Sequence, residues 1–186
     1  MYAELHCHSN YSFQEGASSV EDLLVRAHDL GYRALALTDH DNLCGAMHFA
    51  QVAKTLEMQS ITGVEMTIKD GQDGKENSHL TFLAETKGGY SQLSNLISYS
   101  YVAADRRNPA LDLKYLPGDL DGLILLTGCR TGRVPSLLTG GRFAEAETQL
   151  RQYLDWFGTD NVFVELQQNL VQGDTSRIRR LIDLAR

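Results

Sequence analysis

The sequence predicts an α/β protein, a (β/α) barrel left incomplete at its C-terminal end. Three observations lead there. Apolar runs of strand length alternate with stretches of helical periodicity along all 186 residues. The strings His6-Cys7-His8, Thr38-Asp39-His40 and Gly63-Val64-Glu65 each close a predicted strand, and Cys129 closes another. Ligand-type residues at several strand ends fit a barrel, whereas a doubly wound sheet gathers its site at one switch point. Finally, a full barrel takes about 250 residues with a floor near 200, and this chain stops in a helical pattern at Arg186 with no closing strand.

The elements follow in order. Leu5 to His8 ends a first strand, so His6 and His8 share one face while Leu5 and Cys7 take the other. Ser18-Ser19 offers an N-cap, Ser18 with Glu21 fits a capping box, and Val20, Leu23, Leu24, Ala27 and Leu30 form a helical stripe that Gly31 stops. Ala34 to Leu37 is a continuous apolar run, as in a strand covered on both faces. A helix after Gly45 turns Ala46, Phe49, Ala50 and Ala53 inward. Ile61 to Ile68 is strand three, Asp70 to Asn77 a polar loop, and Leu80 to Ala84 strand four. Gly88-Gly89 opens a helix carrying Leu93, Leu96, Ile97 and Tyr101. Beyond a loop from Asn108 to Leu120, Leu123 to Leu126 is strand five. Phe143 to Phe157 is a helix, Val162 to Leu166 strand six, and Ile178, Leu181, Ile182 and Ala185 mark a last helix. With no repeat or linker, residues 1–186 read as one domain.

Composition narrows the function. A net charge of −7 argues against an independent nucleic-acid binder, because phosphate contacts need clustered cations. Arg106-Arg107 and Arg177, Arg179 and Arg180 are the only basic concentrations, and read as solvated surface. No run approaches the ~20 apolar residues of a membrane span, and the start has no signal-peptide pattern. Three unpaired cysteines, Cys7, Cys44 and Cys129, indicate a reducing cytoplasm.

The chemistry lies in His6, His8, Glu15, His40, Glu65, His79 and Cys129. Imidazole, carboxylate and thiolate together suit two or three divalent ions, zinc first, with manganese or iron as alternatives. His79 precedes its predicted strand, which is unusual where ligands gather at strand carboxyl ends. Asp39 is either a ligand and catalytic group or a partner orienting a histidine. Arg130 and Arg133 follow Cys129 and are placed to hold a substrate phosphate, with a helix-start charge as the alternative. Glu165 ends strand six and points either to the site, as a supporting acid, or to the helix layer; Cys44 reads as a small packed residue, and His28 and His48 lie on outer helix faces.

Five ordered segments resemble a known family. Glu4-Leu5-His6-Cys7-His8-Ser9-Asn10-Tyr11-Ser12-Phe13 with Glu15-Gly16-Ala17 resembles the start of the polymerase and histidinol phosphatase (PHP) domain. Ala36-Leu37-Thr38-Asp39-His40 with Asn42-Leu43-Cys44-Gly45-Ala46 is similar to its second motif, and Ile61-Thr62-Gly63-Val64-Glu65 to its third. His79-Leu80-Thr81-Phe82-Leu83-Ala84, with Gly89-Tyr90 and Asn95-Leu96, resembles the fourth, and Leu126-Thr127-Gly128-Cys129 the cysteine motif. The spelling is nearest the form at the N-terminus of the bacterial DNA polymerase III alpha subunit, and the opening Met1-Tyr2-Ala3-Glu4-Leu5-His6 tilts toward the error-prone branch. The resemblance implies a distorted seven-stranded barrel with those seven residues as metal ligands. Glu15 departs from the Asp usual there, and the Asp-x-His pair that completes the family's site is not found after Cys129. It further implies a metal-dependent phosphoesterase, a 3′–5′ proofreading exonuclease acting on DNA 3′ ends beside the rest of a polymerase chain. Two alternatives stay open: a metal-stabilised docking domain without catalysis, and a free-standing hydrolase of histidinol phosphatase type.

Overall fold

The computed structural model describes residues 2–70, 76–103, 107–116 and 120–186. Met1, Arg106 and most of the predicted 70–77 loop lie outside the described residues. Helix α1 (Val20–Asp29) begins where the Ser19 hydroxyl accepts the Asp22 N–H, so Ser19 of the Ser18-Ser19 pair is the cap and the Ser18–Glu21 pattern is not the one used. It ends as predicted at Gly31, whose φ of 77° suits the turn. There Gly31 N–H bonds the His28 carbonyl at 2.9 Å and Tyr32 N–H the Ala27 carbonyl at 3.0 Å, the paired bonds of a Schellman end.

Strand β1 (Ala34–Leu37), helix α2 (Ala46–Thr55) and strand β2 (Gln59–Asp70) form a β/α/β unit with the two strands parallel. From there the chain departs from strict alternation. β3 (Glu76–Ala84) folds back antiparallel on β2, and after helix α3 (Lys87–Ala103), β4 (Leu123–Leu126) runs antiparallel to β3. Helices α4 (Arg133–Thr139) and α5 (Phe143–Phe157) lead to β5 (Val162–Phe163), parallel to β4, and α6 (Asp174–Leu184) follows. The described residues thus form a mixed five-stranded sheet in sequence order with six helices, not an all-parallel set. The α/β class holds, and the barrel is not closed among these strands.

Two predicted strands are corrected. Residues 4–8 make only one bridge, Glu4 with Leu35, because the backbone donors ahead are taken by side chains. Leu5 and His6 N–H donate to the Glu4 carboxylate at 3.1 and 3.2 Å, and Cys7 N–H donates to Thr38 Oγ1 at 2.9 Å. The segment still lies beside β1, with Thr38 N–H donating to the Cys7 carbonyl at 2.9 Å. Strand six shrinks to Val162–Phe163, since the Glu165 N–H donates to the Thr127 hydroxyl instead of a neighbouring strand. Helix α4 was not anticipated, although Val134, Leu137 and Leu138 show helical spacing.

Alternation along the strands separates core from site. Val64, Met66 and Ile68 of β2, Leu80 and Phe82 of β3, and Leu123 and Leu125 of β4 bury outward against α3, α4 and α5. Leu35 and Leu37 of β1 pack against α1 and α2 in a second cluster. The opposite face is apolar at one end, with Ala36, Leu83 and Leu126, and polar at the other, with Glu65, Thr67, His79 and Thr81. The apolar end, through Leu83 and Leu126, lines a cavity of about 1260 Å³ between residues 2–6 and 163–169. Phe82, fully buried with its ring 6.0 Å from that of Phe157, ties sheet to helices. Phe82→Ala should lower stability by about 3–5 kcal/mol, read as a lower urea midpoint at unchanged slope.

Candidate metal centre

Glu65 lies at the centre of the polar face, its side chain only 3% exposed. Each carboxylate oxygen faces two imidazoles. Oε1 is 3.3 Å from His6 Nε2 and 3.3 Å from His79 Nδ1. Oε2 is 3.3 Å from His8 Nε2 and 3.0 Å from His40 Nδ1. Two groups share the glutamate, His6–His8–Glu65 and His40–Glu65–His79, each with donor atoms within 4.8 Å of one another. The sequence spacing explains the first pair: two residues apart on an extended segment, His6 and His8 bring their rings to 5.3 Å. His79 joins because β3 is antiparallel. Its register opposite Thr67 puts it beyond the carboxyl end of β1, near the turn whose His40 bridges to Glu65, though it comes early in its own strand.

Further side chains fix the rings. His6 Nδ1 lies 2.7 Å from Glu165 Oε1, which also accepts from Gln167 Nε2 at 2.6 Å. His40 Nε2 lies 3.1 Å from Asp41 Oδ2 and 2.8 Å from Thr67 Oγ1. Thr67 donates from both N–H and hydroxyl to Asp41, at 2.8 and 2.7 Å. A carboxylate that only accepts requires the facing nitrogen to carry a hydrogen. His6 Nδ1 and His40 Nε2 therefore each carry a hydrogen, and the other nitrogen of each, turned toward Glu65, is the one free to exchange its proton for a metal. Carboxylate support of this kind is common behind metal-binding imidazoles. Glu165 was anticipated; Asp41 and Thr67 were not. Thr67 was findable, being two residues from Glu65 and hence on its face. Asp41 was not, because it turns inward through a backbone φ of 53°.

The remaining candidates divide. Glu15, on the rim, reaches both His8 Nδ1 at 3.5 Å and His40 Nδ1 at 3.3 Å. Cys129 Sγ stands 3.8 Å from His79 Nδ1, with the Thr131 hydroxyl between them at 2.8 and 3.1 Å. Arg130 is exposed beside Cys129. Asp39 is not brought to the cluster. Buried, it accepts from Ser9 N–H, Ser9 Oγ and Ser12 Oγ at 2.7, 2.8 and 2.6 Å, so it touches no histidine and holds the loop after His8. Cys44 is exposed instead of packed, while burial pushes the Cys7 thiol up to about 11, away from the cluster. His28 and His48 pair with Asp29 and Glu21 outside the site.

The arrangement fits a cation. His8 Nε2 and Glu65 Oε1 are buried without a hydrogen bond, so geometry suited to a shared ion leaves both atoms unserved by protein alone. Burial opposes a charge on His6, but Glu165 and Glu65 outweigh it and lift its pKa to about 10. For His40, burial is outweighed by Asp41 and Glu65, again to about 10. For His79 it is outweighed by Cys129 and Glu65, to about 9. Burial likewise opposes the Glu65 charge, and the four imidazoles hold it far below the usual carboxylate range.

In the metal-free chain these rings hold protons that an unfolded chain releases around the ordinary 6.5. Their contribution to stability is complete below that pH and is lost as pH rises through about 9 to 10. After chelation, the melting temperature should fall from pH 7 to pH 10. With zinc added the trend should reverse between pH 6 and 8, because metal binding requires neutral imidazoles. Scanning calorimetry across that range checks both slopes.

A model of the PHP domain family matches residues 4–169. An error-prone DNA polymerase of Symbiobacterium thermophilum is 39% identical across 98% of this chain and 18% of its own length. A DNA polymerase III subunit alpha of Treponema pallidum is 38% identical across 99% of this chain and 16% of its own. The chain thus spans less than a fifth of the length of these relatives. Among solved structures, an amidohydrolase from Chromobacterium violaceum overlaps 82% of this chain and 55% of its own at 21% identity, with a TM-score of 0.42. Among the described residues no helix is long and apolar enough to cross a membrane.

Proposed function

Since the chain belongs to the PHP domain family, we propose that it is a metal-dependent phosphoesterase module of a DNA polymerase III-type alpha subunit, trimming DNA 3′ ends in the cytoplasm. The observation that carries this reading is the single buried Glu65 faced by four imidazoles, with His8 Nε2 and Glu65 Oε1 unserved. His6, His8 and Glu65 would hold one ion and His40, His79 and Glu65 another, with Glu15 and Cys129 at the flanks. Zinc suits this donor set best, and manganese or iron would use the same atoms. Such ions, when bound, polarise phosphoryl oxygens and acidify water near neutral pH. The chain's own part is to orient. Glu165 and Asp41 fix the His6 and His40 rings, and Arg130, exposed next to Cys129, would meet a phosphate oxygen. The same reading takes the mixed sheet as part of a seven-stranded barrel. The His6–Glu165 contact at 2.7 Å supports it by bringing segments flanking opposite sheet edges together.

One observation favours a second reading, in which metal only holds the fold. The five central residues come from the 4–8 segment, the turn after β1, and strands β2 and β3, so an ion there would tie separate segments together. His6→Ala with His8→Ala separates the two. Elemental analysis should find more than one transition metal per wild-type chain and much less in the variant. Hydrolysis of single-stranded DNA should fall at least about 100-fold, beyond the usual effect of losing one supporting partner. Circular dichroism should show a folded variant that melts somewhat earlier if the site is catalytic, and a largely unfolded one if it is structural. Wild-type protein prepared without chelators yet free of metal would remove the reading.

A further inference from the structure

The cleft beside the metal centre offers more than a phosphate needs. It measures about 420 Å³ and shares Glu15 and His40 with the cluster. Its other walls include the rings of Tyr11, Phe13 and Tyr101, the amides of Asn42 and Asn77, and the Arg107 guanidinium. We propose that this cleft is a stacking subsite for a base of single-stranded DNA, next to the phosphodiester at the metal centre. The proposal rests on the phosphoesterase reading and names how its substrate is gripped.

The loop that carries the rings is built to hold them still. Ser9 and Ser12 are 0% and 1% exposed and bind the buried Asp39 through three hydrogen bonds. Asn42 Nδ2 donates to the Tyr11 and His40 carbonyls at 3.2 and 2.8 Å, which locks the loop to the turn that supplies His40. Gly16 closes the loop so tightly that a Cβ there would lie 1.9 Å from the Ser9 carbonyl oxygen. Yet between these anchors Phe13 is 86% exposed and Tyr11 42% exposed. A rigid loop that presents a bare aromatic face at the mouth of a phosphoester site matches the way single strands are bound, by stacking bases on rings and meeting their edges with polar groups. A small phosphate ester without a base would leave these rings unused.

The test uses the zinc-loaded chain and two fluorescein-labelled hexamers with phosphorothioate linkages, one of thymidylate and one wholly abasic. Anisotropy should show the thymidylate bound roughly tenfold or more tightly than the abasic strand, the scale of one stacked base. Phe13→Ala and Phe13→Leu should each erase most of that preference at unchanged metal content, whereas Phe13→Trp should keep it. Tyr101→Ala should reduce it as well. Equal binding of the two hexamers by a metal-loaded chain overturns the subsite alone. So does a preference that survives Phe13→Ala, which would leave the loop as a surface for a protein partner. A chain that takes up no zinc removes the phosphoesterase reading itself. Because Phe13 packs so little, its variants should fold, and matched melting curves confirm that.

Discussion

The structure turns on one buried carboxylate shared by four imidazoles. A carboxylate removed from water is costly unless matched by positive charge or donors, and Glu65 is faced by four imidazoles while its Oε1 keeps no hydrogen bond of its own. Alternation along β2 decides which way it faces: Val64 and Met66 bury outward in the helix-packed core, so Glu65 turns inward. The sheet then has to deliver its partners at that height. β1 ends at Leu37, and the chain continues to His40, which bridges to Glu65. The antiparallel β3 supplies His79 from its own amino-terminal half. An all-parallel arrangement would place that part of strand four at the opposite end of the sheet, away from the site.

A second buried carboxylate does different work two residues earlier than Asp41. Asp39 and Asp41 flank His40 yet face apart. Asp39 gathers Ser9 and Ser12, and Asp41 gathers Thr67 and His40. Between them they fix the backbone on both sides of a single imidazole. The strain of a left-handed Asp41, with φ of 53°, is offset by two hydrogen bonds from Thr67. Each acid therefore serves the site through another residue, which is how a short turn can fix the position of one side chain.

Local patterns in the sequence were read well where local physics decides. The α1 stripe and its Gly31 stop, the β1 and β4 runs, and the face shared by His6 and His8 need only periodicity and backbone freedom. Strand direction was not legible in the same way. β2 and β3 both read as apolar runs, and two successive strands with no helix between them were the signal for a hairpin that the alternating pattern obscured. The 4–8 segment failed as a strand because side chains, not the neighbouring backbone, took its donors, and hydrophobic pattern carries no record of that competition. Asp39 illustrates the same limit for the site: a carboxylate beside a histidine in sequence can face a different partner in space.

Charge explains how an acidic chain is compatible with the phosphate chemistry proposed for it. With a net charge of −7, its general field repels a polyanion. Within the site, Glu15, Asp41 and Glu165 add to Glu65, each within 3.5 Å of an imidazole. Without metal, protons on those imidazoles balance the carboxylates, as the raised values for His6, His40 and His79 express. A divalent ion can replace such protons while leaving a face open to a further ligand, and that is the property a proton on a buried ring lacks. The concentration of carboxylates around imidazoles therefore selects for cations first and for anionic substrate only through them. On the proposed reading, recognition of the rest of the substrate falls to the rings, the amides and the Arg107 guanidinium that line the cleft beside His40.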